Sequence, residues 1–223
     1  MLANGGIVSD QIRCYRLAVY RWLTGNRIST VPDPRLTALG EQQASSGAAQ
    51  IADLQDSVDL IVTSPLKRTL QTTLRTWGPA VKRLGIENVI CLAEAQECND
   101  YPCDTGSPRE ELEKDPDFAG LTFARVTPDW TSKANFWAAD RVSIANRCEW
   151  VRHFLRDRPE KHIVLVAHGD FLRELTCDAH GASTYWWKNV EIQIFKFDET
   201  TVDQDECFLK LDSLTEATGA PNS

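Results

Sequence analysis

A chain of 223 residues, 42% apolar and 25% charged, is long enough to bury one α/β core with room for a modest insertion. Its net charge of −8 argues against a nucleic-acid partner. No apolar run approaches the roughly 20 residues that span a bilayer, and Met1–Asp10 lacks the basic-then-apolar layout of a secretory signal. Seven cysteines, an odd number scattered from Cys14 to Cys207 without a Cys-x-x-Cys pair, read as reduced thiols of a cytoplasmic protein, not as a zinc site. Neither a metal nor a cofactor is expected.

Gln11–Tyr20 is the first predicted strand, and Gly25 and Asn26 separate it from the next segment. Val31–Pro34 is a rigid turn. Thr37 has the character of an N-cap, and a helix should run from it to about Leu54, with Leu39, Ala44, Ala48, Ile51 and Leu54 near helical spacing. Val58–Val62 is a second strand, ending in Thr63-Ser64-Pro65, which opens a helix that reaches Trp77 or beyond. Asn88–Leu92 is a third strand, followed by an acidic loop over Ala93–Ser107. Residues 115–135 are irregular, an insertion of about 107–140 should cover the site, and Phe136–Arg156 should form a long helix. Ile163–Val166, four branched apolar residues in a row, reads as a strand buried on both faces. A helical pattern with Phe171, Leu172 and Leu175 follows. Val190–Phe197 and Cys207–Leu211 close the chain as edge strands. The expectation is a single three-layer α/β/α domain over 1–214, with a mostly parallel sheet, and a flexible tail over 215–223.

Three strand ends carry polar residues. His168 stands at the carboxyl end of the buried strand, where open α/β sheets bind ligands, and the helix that starts there offers N–H groups to an anion such as phosphate. The plainer alternative is a histidine that caps a sheet edge. Arg68 lies in the first turn of its helix, where a cation opposes the helix dipole; a phosphate gripped by both prongs of the guanidinium offsets that cost. Its alternative is a solvated surface arginine, the reading given to Lys67 and Arg75. Glu94 and Glu97 follow the third strand as candidate general acids, or as mere solvated acidity beside Asp100 and Asp104.

Taken together these pieces resemble the histidine phosphatase superfamily, branch 1, the phosphoglycerate mutase-like proteins. Asp33–Gly40 is similar to the family's Leu-Thr-x-x-Gly turn, Ser64–Thr72 to its second arginine motif, and Ala167-His168-Gly169 to its second histidine motif. Glu94–Gly106, with Tyr-Pro-Cys-Asp-Thr-Gly, and the Trp187–Glu191 stretch resemble fungal members, the latter placing Asn189 on an edge strand. The resemblance implies phosphate-ester hydrolysis through a phosphohistidine. It implies Arg16, Arg68, Gly169 and Asn189 as substrate-binding positions, His168 and a carboxylic acid as catalytic ones, and a phosphorylated or otherwise anionic small molecule as substrate. Glu97, six residues before Cys103, matches the acid position of the fructose-bisphosphatase relatives better than Glu94 does. Tyr101, Pro102 and the aromatics of 115–137 are candidates for the apolar walls that would raise its pKa. Trp130, Trp137, Trp186 and Trp187 suggest room for a larger apolar substrate, such as a fungal secondary metabolite.

One departure matters most. The nucleophile belongs in an Arg-His-Gly or Arg-His-Ala triplet after the first strand, yet no histidine precedes His153. The matching triplet is Arg16-Leu17-Ala18, with Trp22 and Leu23 where an asparagine is usual. Leu17 cannot attack phosphorus. The open readings are an active phosphatase inactivated by substitution, a pocket reused by a lyase, dehydratase or isomerase with His168 and Glu97 as acid and base, a non-catalytic anion-binding pseudoenzyme, or a first strand that lies elsewhere. Oligomeric state is left open.

Overall fold

The computed structural model describes the backbone of residues 11–16 and residues 30–212 in full. The strands are β1 (Gln11–Arg16), β2 (Leu60–Thr63), β3 (Ile90–Cys91), β4 (His162–Ala167), β5 (Ile192–Phe197) and β6 (Leu209–Leu211). The helices are α1 (Ala38–Gln50), α2 (Ala52–Gln55), α3 (Lys67–Thr76), α4 (Gly78–Leu84), α5 (Arg109–Lys114), α6 (Arg141–Arg156) and α7 (Gly169–Leu175).

An unbroken branched run can be buried on both faces only where strands flank it and helices cover it. β4 lies accordingly between β1 and β2, parallel to both, within a sheet of order β3-β2-β4-β1-β5-β6. β3 is parallel to β2, whereas β5 and β6 are antiparallel additions at the far edge. Alternation along β4 separates the two cores. Ile163, Leu165 and Ala167 pack with residues of α6 and α7, and Val164 and Val166 pack with Ile51, Trp77, Ala80 and Val81. This is the expected three-layer α/β/α arrangement. The carboxyl ends of the four parallel strands, Arg16, Thr63, Cys91 and Ala167, therefore share one rim.

Element boundaries differ from the sequence expectation where a local conformation intervenes. Thr37 does cap α1, its Oγ1 accepting from Gly40 N–H at 3.1 Å. The helix ends at Gln50 instead of Leu54, because buried Ile51 leaves helical geometry at φ −119°. α6 starts at Arg141, not Phe136, because Asp140 accepts the N–H groups of Val142 and Ser143 at 3.0 and 3.1 Å. Pro65 stands just before the N-cap Leu66 of α3, near the first turn as expected. β5 begins at Ile192 because Val190 takes a left-handed φ of 57° and packs with Leu36 and Ala44; Asn189 is thus in an exposed turn, not on the strand.

The segment 107–140 builds a small core of its own. Phe118, Phe123, Val126, Trp130 and Trp137 pack against Leu66 and Leu70 around α3 and against Cys91 and Ala93 at the end of β3. Trp130 lies so close to Gly106 that a Cβ there would meet its ring at 2.0 Å. Trp130, Trp137 and Trp187 are buried packing residues, and Trp186 is 75% exposed. Trp130, Trp137 and Trp187 thus serve the core.

Candidate active site

β2 and β4 run in register with Thr63 beside Val166, so the residues that follow them, Ser64 and His168, emerge together. Ser64 N–H donates to Val166 O at 2.9 Å. His168 is fully buried. Its Nε2 lies 2.8 Å from Ser64 Oγ and 3.3 Å from Thr69 Oγ1, and its Nδ1 lies 3.3 Å from Arg68 Nη2. A guanidinium only donates, so Nδ1 accepts and the ring proton is assigned to Nε2, facing the two hydroxyls.

Arg68 occupies the first turn of α3, as the sequence indicates, but it is not solvated: only 2% of it is exposed. Its Nη2 pairs with Asp104 Oδ1 at 2.9 Å and its Nη1 donates to Cys103 O, while Nε has no hydrogen-bond partner. The charge at an unfavourable helix position is thus offset within the chain. Arg75, by contrast, is exposed and pairs with Glu41. Asp33 sets this geometry. Buried, and held at a left-handed φ of 41°, it accepts from Lys67 N–H through Oδ1 and from Ser107 N–H through Oδ2, both at 2.9 Å. One carboxylate thereby ties the start of α3 to the loop that carries Asp104. Burial pushes the Asp33 carboxyl up, against the pull of its bonds with Lys67 and Ser107. The Pro-Asp-Pro turn was visible in the sequence; its role was not, because both partners lie more than 30 residues away.

Glu97 is 6% exposed. Its Oε1 accepts from Cys98 N–H at 2.9 Å and from Phe171 N–H at 3.1 Å. The first turn of α7, expected to receive an external anion, therefore spends this N–H on an internal carboxyl. Burial, and then the neighbouring Asp104 and Asp170, raise the Glu97 pKa to about 7 against the opposing pull of Arg68. Tyr101 and Pro102 are exposed and do not wall it in; the backbones of Cys98 and Phe171, both buried residues, meet its Oε1. Glu94 has different company. Burial raises its pKa too, but its charged neighbours are Arg125 and Arg147, and its Oε2 is buried without a partner.

The acid loop is held from behind. Fully buried Arg147 donates from Nη1 to Glu94 O and Gln96 O at 3.1 and 3.0 Å. Lys133, at a left-handed φ of 51°, donates to Gln96 Oε1 at 3.0 Å and Asn99 O at 2.8 Å. Burial and Arg147 lower its pKa to about 8 despite Asp104 and Glu97 nearby. Among the described residues no group of three or more His, Cys, Asp or Glu is arranged to hold a metal.

The model of the family described as "Histidine phosphatase superfamily (branch 1)" matches residues 16–212. The chain belongs to this superfamily. A Schizosaccharomyces pombe protein named "Probable phosphatase" is 26% identical to it over 148 residues, 66% of this chain and 68% of that protein. Among solved structures, a phosphoserine phosphatase mutant from Entamoeba histolytica in complex with phosphoserine is similar with a TM-score of 0.56 at 22% identity, covering 91% of this chain and 95% of that one. Mycobacterial glucosyl-3-phosphoglycerate phosphatase in complex with VO3 is similar with a TM-score of 0.57 at 21% identity, covering 92% and 98%. At these identities the two structures share the fold.

For this histidine phosphatase-superfamily chain the sequence-derived positions fall into three groups. Arg68 and His168 touch each other, Glu97 reaches them through the field of Arg68 and Asp104, and Gly169 opens α7 directly after His168. Arg16 pairs with Ala167 across β1 and β4, which puts its backbone at the same rim. Asn189 lies in the turn before β5, whose first residue pairs with Tyr15, so it neighbours that rim. Leu17, Trp22 and Leu23 lie outside the described residues. Asp33, Thr69, Lys133 and Arg147 escaped sequence reading, because nothing local marks a residue whose partners are distant.

Proposed function

We propose that the rim between Arg16, Arg68 and His168 is a seat for the phosphoryl group of a phosphorylated or otherwise anionic small molecule. In this reading the chain as written binds its ligand without forming a phosphohistidine. The observation that carries the reading is the buried contact of the Arg68 guanidinium with the His168 ring, 3.3 Å apart. A cation and a neutral imidazole gain little from each other; both gain from a dianion between them. The match to the family begins at Arg16, which supports Leu17 as the occupant of the nucleophile position. Leucine has no lone pair, so the covalent step is closed. Glu97, held near pH 7, suits the acid that protonates the leaving oxygen.

The test is Leu17→His. In that variant a ring nitrogen attacks phosphorus and the bond to the leaving oxygen breaks. Glu97 supplies the proton, and water then clears the phosphohistidine with Glu97 taking a proton back. Hydrolysis of p-nitrophenyl phosphate should rise by at least about 10³-fold over the chain as written. A second reading has one observation in its favour: a carboxyl near pH 7 is as ready to accept a proton as to give one, which suits acid–base chemistry on an anionic metabolite by a lyase, dehydratase or isomerase. No gain from Leu17→His, with phosphate binding intact, would favour it.

A further inference from the structure

Arg68 is a buried cation held by two segments distant in sequence. The loop supplies Asp104 Oδ1 at 2.9 Å and the Cys103 carbonyl, the residue leading into α7 supplies His168 Nδ1 at 3.3 Å, and Nε is left without a hydrogen bond. Asp104 itself is buried, whereas Tyr101 and Pro102 of the same turn face solvent. The turn is thus a roof whose inner surface presents one carboxylate to the guanidinium. Its position is not incidental. Asp33 N–H donates to Pro102 O at 3.4 Å, and the Asp33 carboxylate grips Ser107 on one side and Lys67, next to Arg68, on the other.

We propose that Asp104 is an internal stand-in for the ligand's anionic group: it keeps Arg68 aimed at His168, and an incoming phosphoryl group must displace it. This rests on the reading of the Arg68–His168 rim as the anion seat. With Arg68 2% exposed, a ligand cannot reach the guanidinium while the carboxylate and carbonyl of the roof hold it. Binding is therefore coupled to release of the roof. A seat that is open for about a tenth of the time weakens the apparent affinity about tenfold relative to the open seat. Asp104 is then a positioning residue that sets how strong an anion must be to enter.

The experiment titrates inorganic phosphate into the full chain by calorimetry and by thermal unfolding, comparing wild type, Asp104→Asn and Arg68→Ala. Asn preserves shape and removes the competing charge. Asp104→Asn should bind phosphate about tenfold more tightly. It should melt lower without phosphate, and phosphate should raise its Tm more than that of the wild type. Detectable binding by Asp104→Asn alone would support the proposal equally. Phosphate binding by Asp104→Asn no tighter than wild type, or by neither protein, overturns it. The two ideas fail separately. Loss of binding in Arg68→Ala with no gain in Asp104→Asn keeps the anion seat and removes only the stand-in; unchanged binding in Arg68→Ala removes both. Should Asp104→Asn not fold, the aspartate carboxyl ¹³C resonances of the wild type decide. A buried one that moves with phosphate saturation supports displacement, and none moving while phosphate binds overturns it.

Discussion

The two ends of the sheet both carry charge and handle it in opposite ways. At the amino end, Arg158 pairs with Glu160 two residues away at 2.6 Å, and Asp59 faces His162 at 3.2 Å. Arg158, Glu160 and Asp59, with Glu87 and Asn88, border a cleft of about 400 Å³, and all of these groups are part-exposed or exposed. At the carboxyl end, Arg68, His168, Asp104, Asp33 and Glu97 are all buried, and their partners are separated by tens of residues in sequence. Water screens the first set, so each pair is worth little and constrains nothing beyond its own turn. The second set has no water to fall back on, so every member must be met by another segment. Chemistry that depends on fixed geometry belongs at the second end, because only there does losing one group strand another.

That contrast can be broken most sharply by removing one cation from each end. Arg68→Ala leaves Asp104 buried and uncompensated, and should lower unfolding free energy in urea by about 3–5 kcal/mol. A loss below about 1 kcal/mol would put this ion pair in the same class as the exposed ones and erase the distinction.

The pH dependence of stability gives the next largest effect. Glu97 titrates near its ordinary 4.5 in the unfolded chain and near 7 in the folded one. The folded state therefore holds the extra proton between those values. Its contribution is fully present below pH 4.5 and disappears as pH rises through 7. Across that window the group should cost on the order of 3 kcal/mol of stability. Glu97→Gln should flatten this part of the profile, measured by urea unfolding at intervals from pH 4.5 to 8. An unchanged slope would place the raised carboxyl elsewhere.

The smallest expected effect sharpens the other side. Arg158→Ala removes a pair whose side chains are 27% and 22% exposed, and should change stability by about 0–1 kcal/mol, read as the shift in urea midpoint. It should leave phosphate binding untouched.

Much of this arrangement was legible beforehand, and the reasons differ by residue. Ile163–Val166 announced a central strand because four branched residues in a row satisfy only a doubly covered one. His168 could be placed because it follows that strand directly. Arg68 could be placed because its helix start is local. What could not be read was what Arg68 touches. Asp104 meets its guanidinium, and this aspartate is otherwise indistinguishable from its neighbours in an acidic loop. The tryptophans misled for a related reason: composition shows that large rings are present, but not that Trp130 lies over Gly106 and Trp187 in the central core.

The amino-acid order alone indicated where the strands lie, the two-faced burial of β4 and which residues follow β2 and β4, since these depend on periodicity over a few residues and on which residue ends which strand. Only the folded chain decided that the Asp33 carboxylate would join two loops and that Asp104 would meet Arg68. Such pairings depend on which distant segments arrive together in a place without water, and no local pattern encodes that.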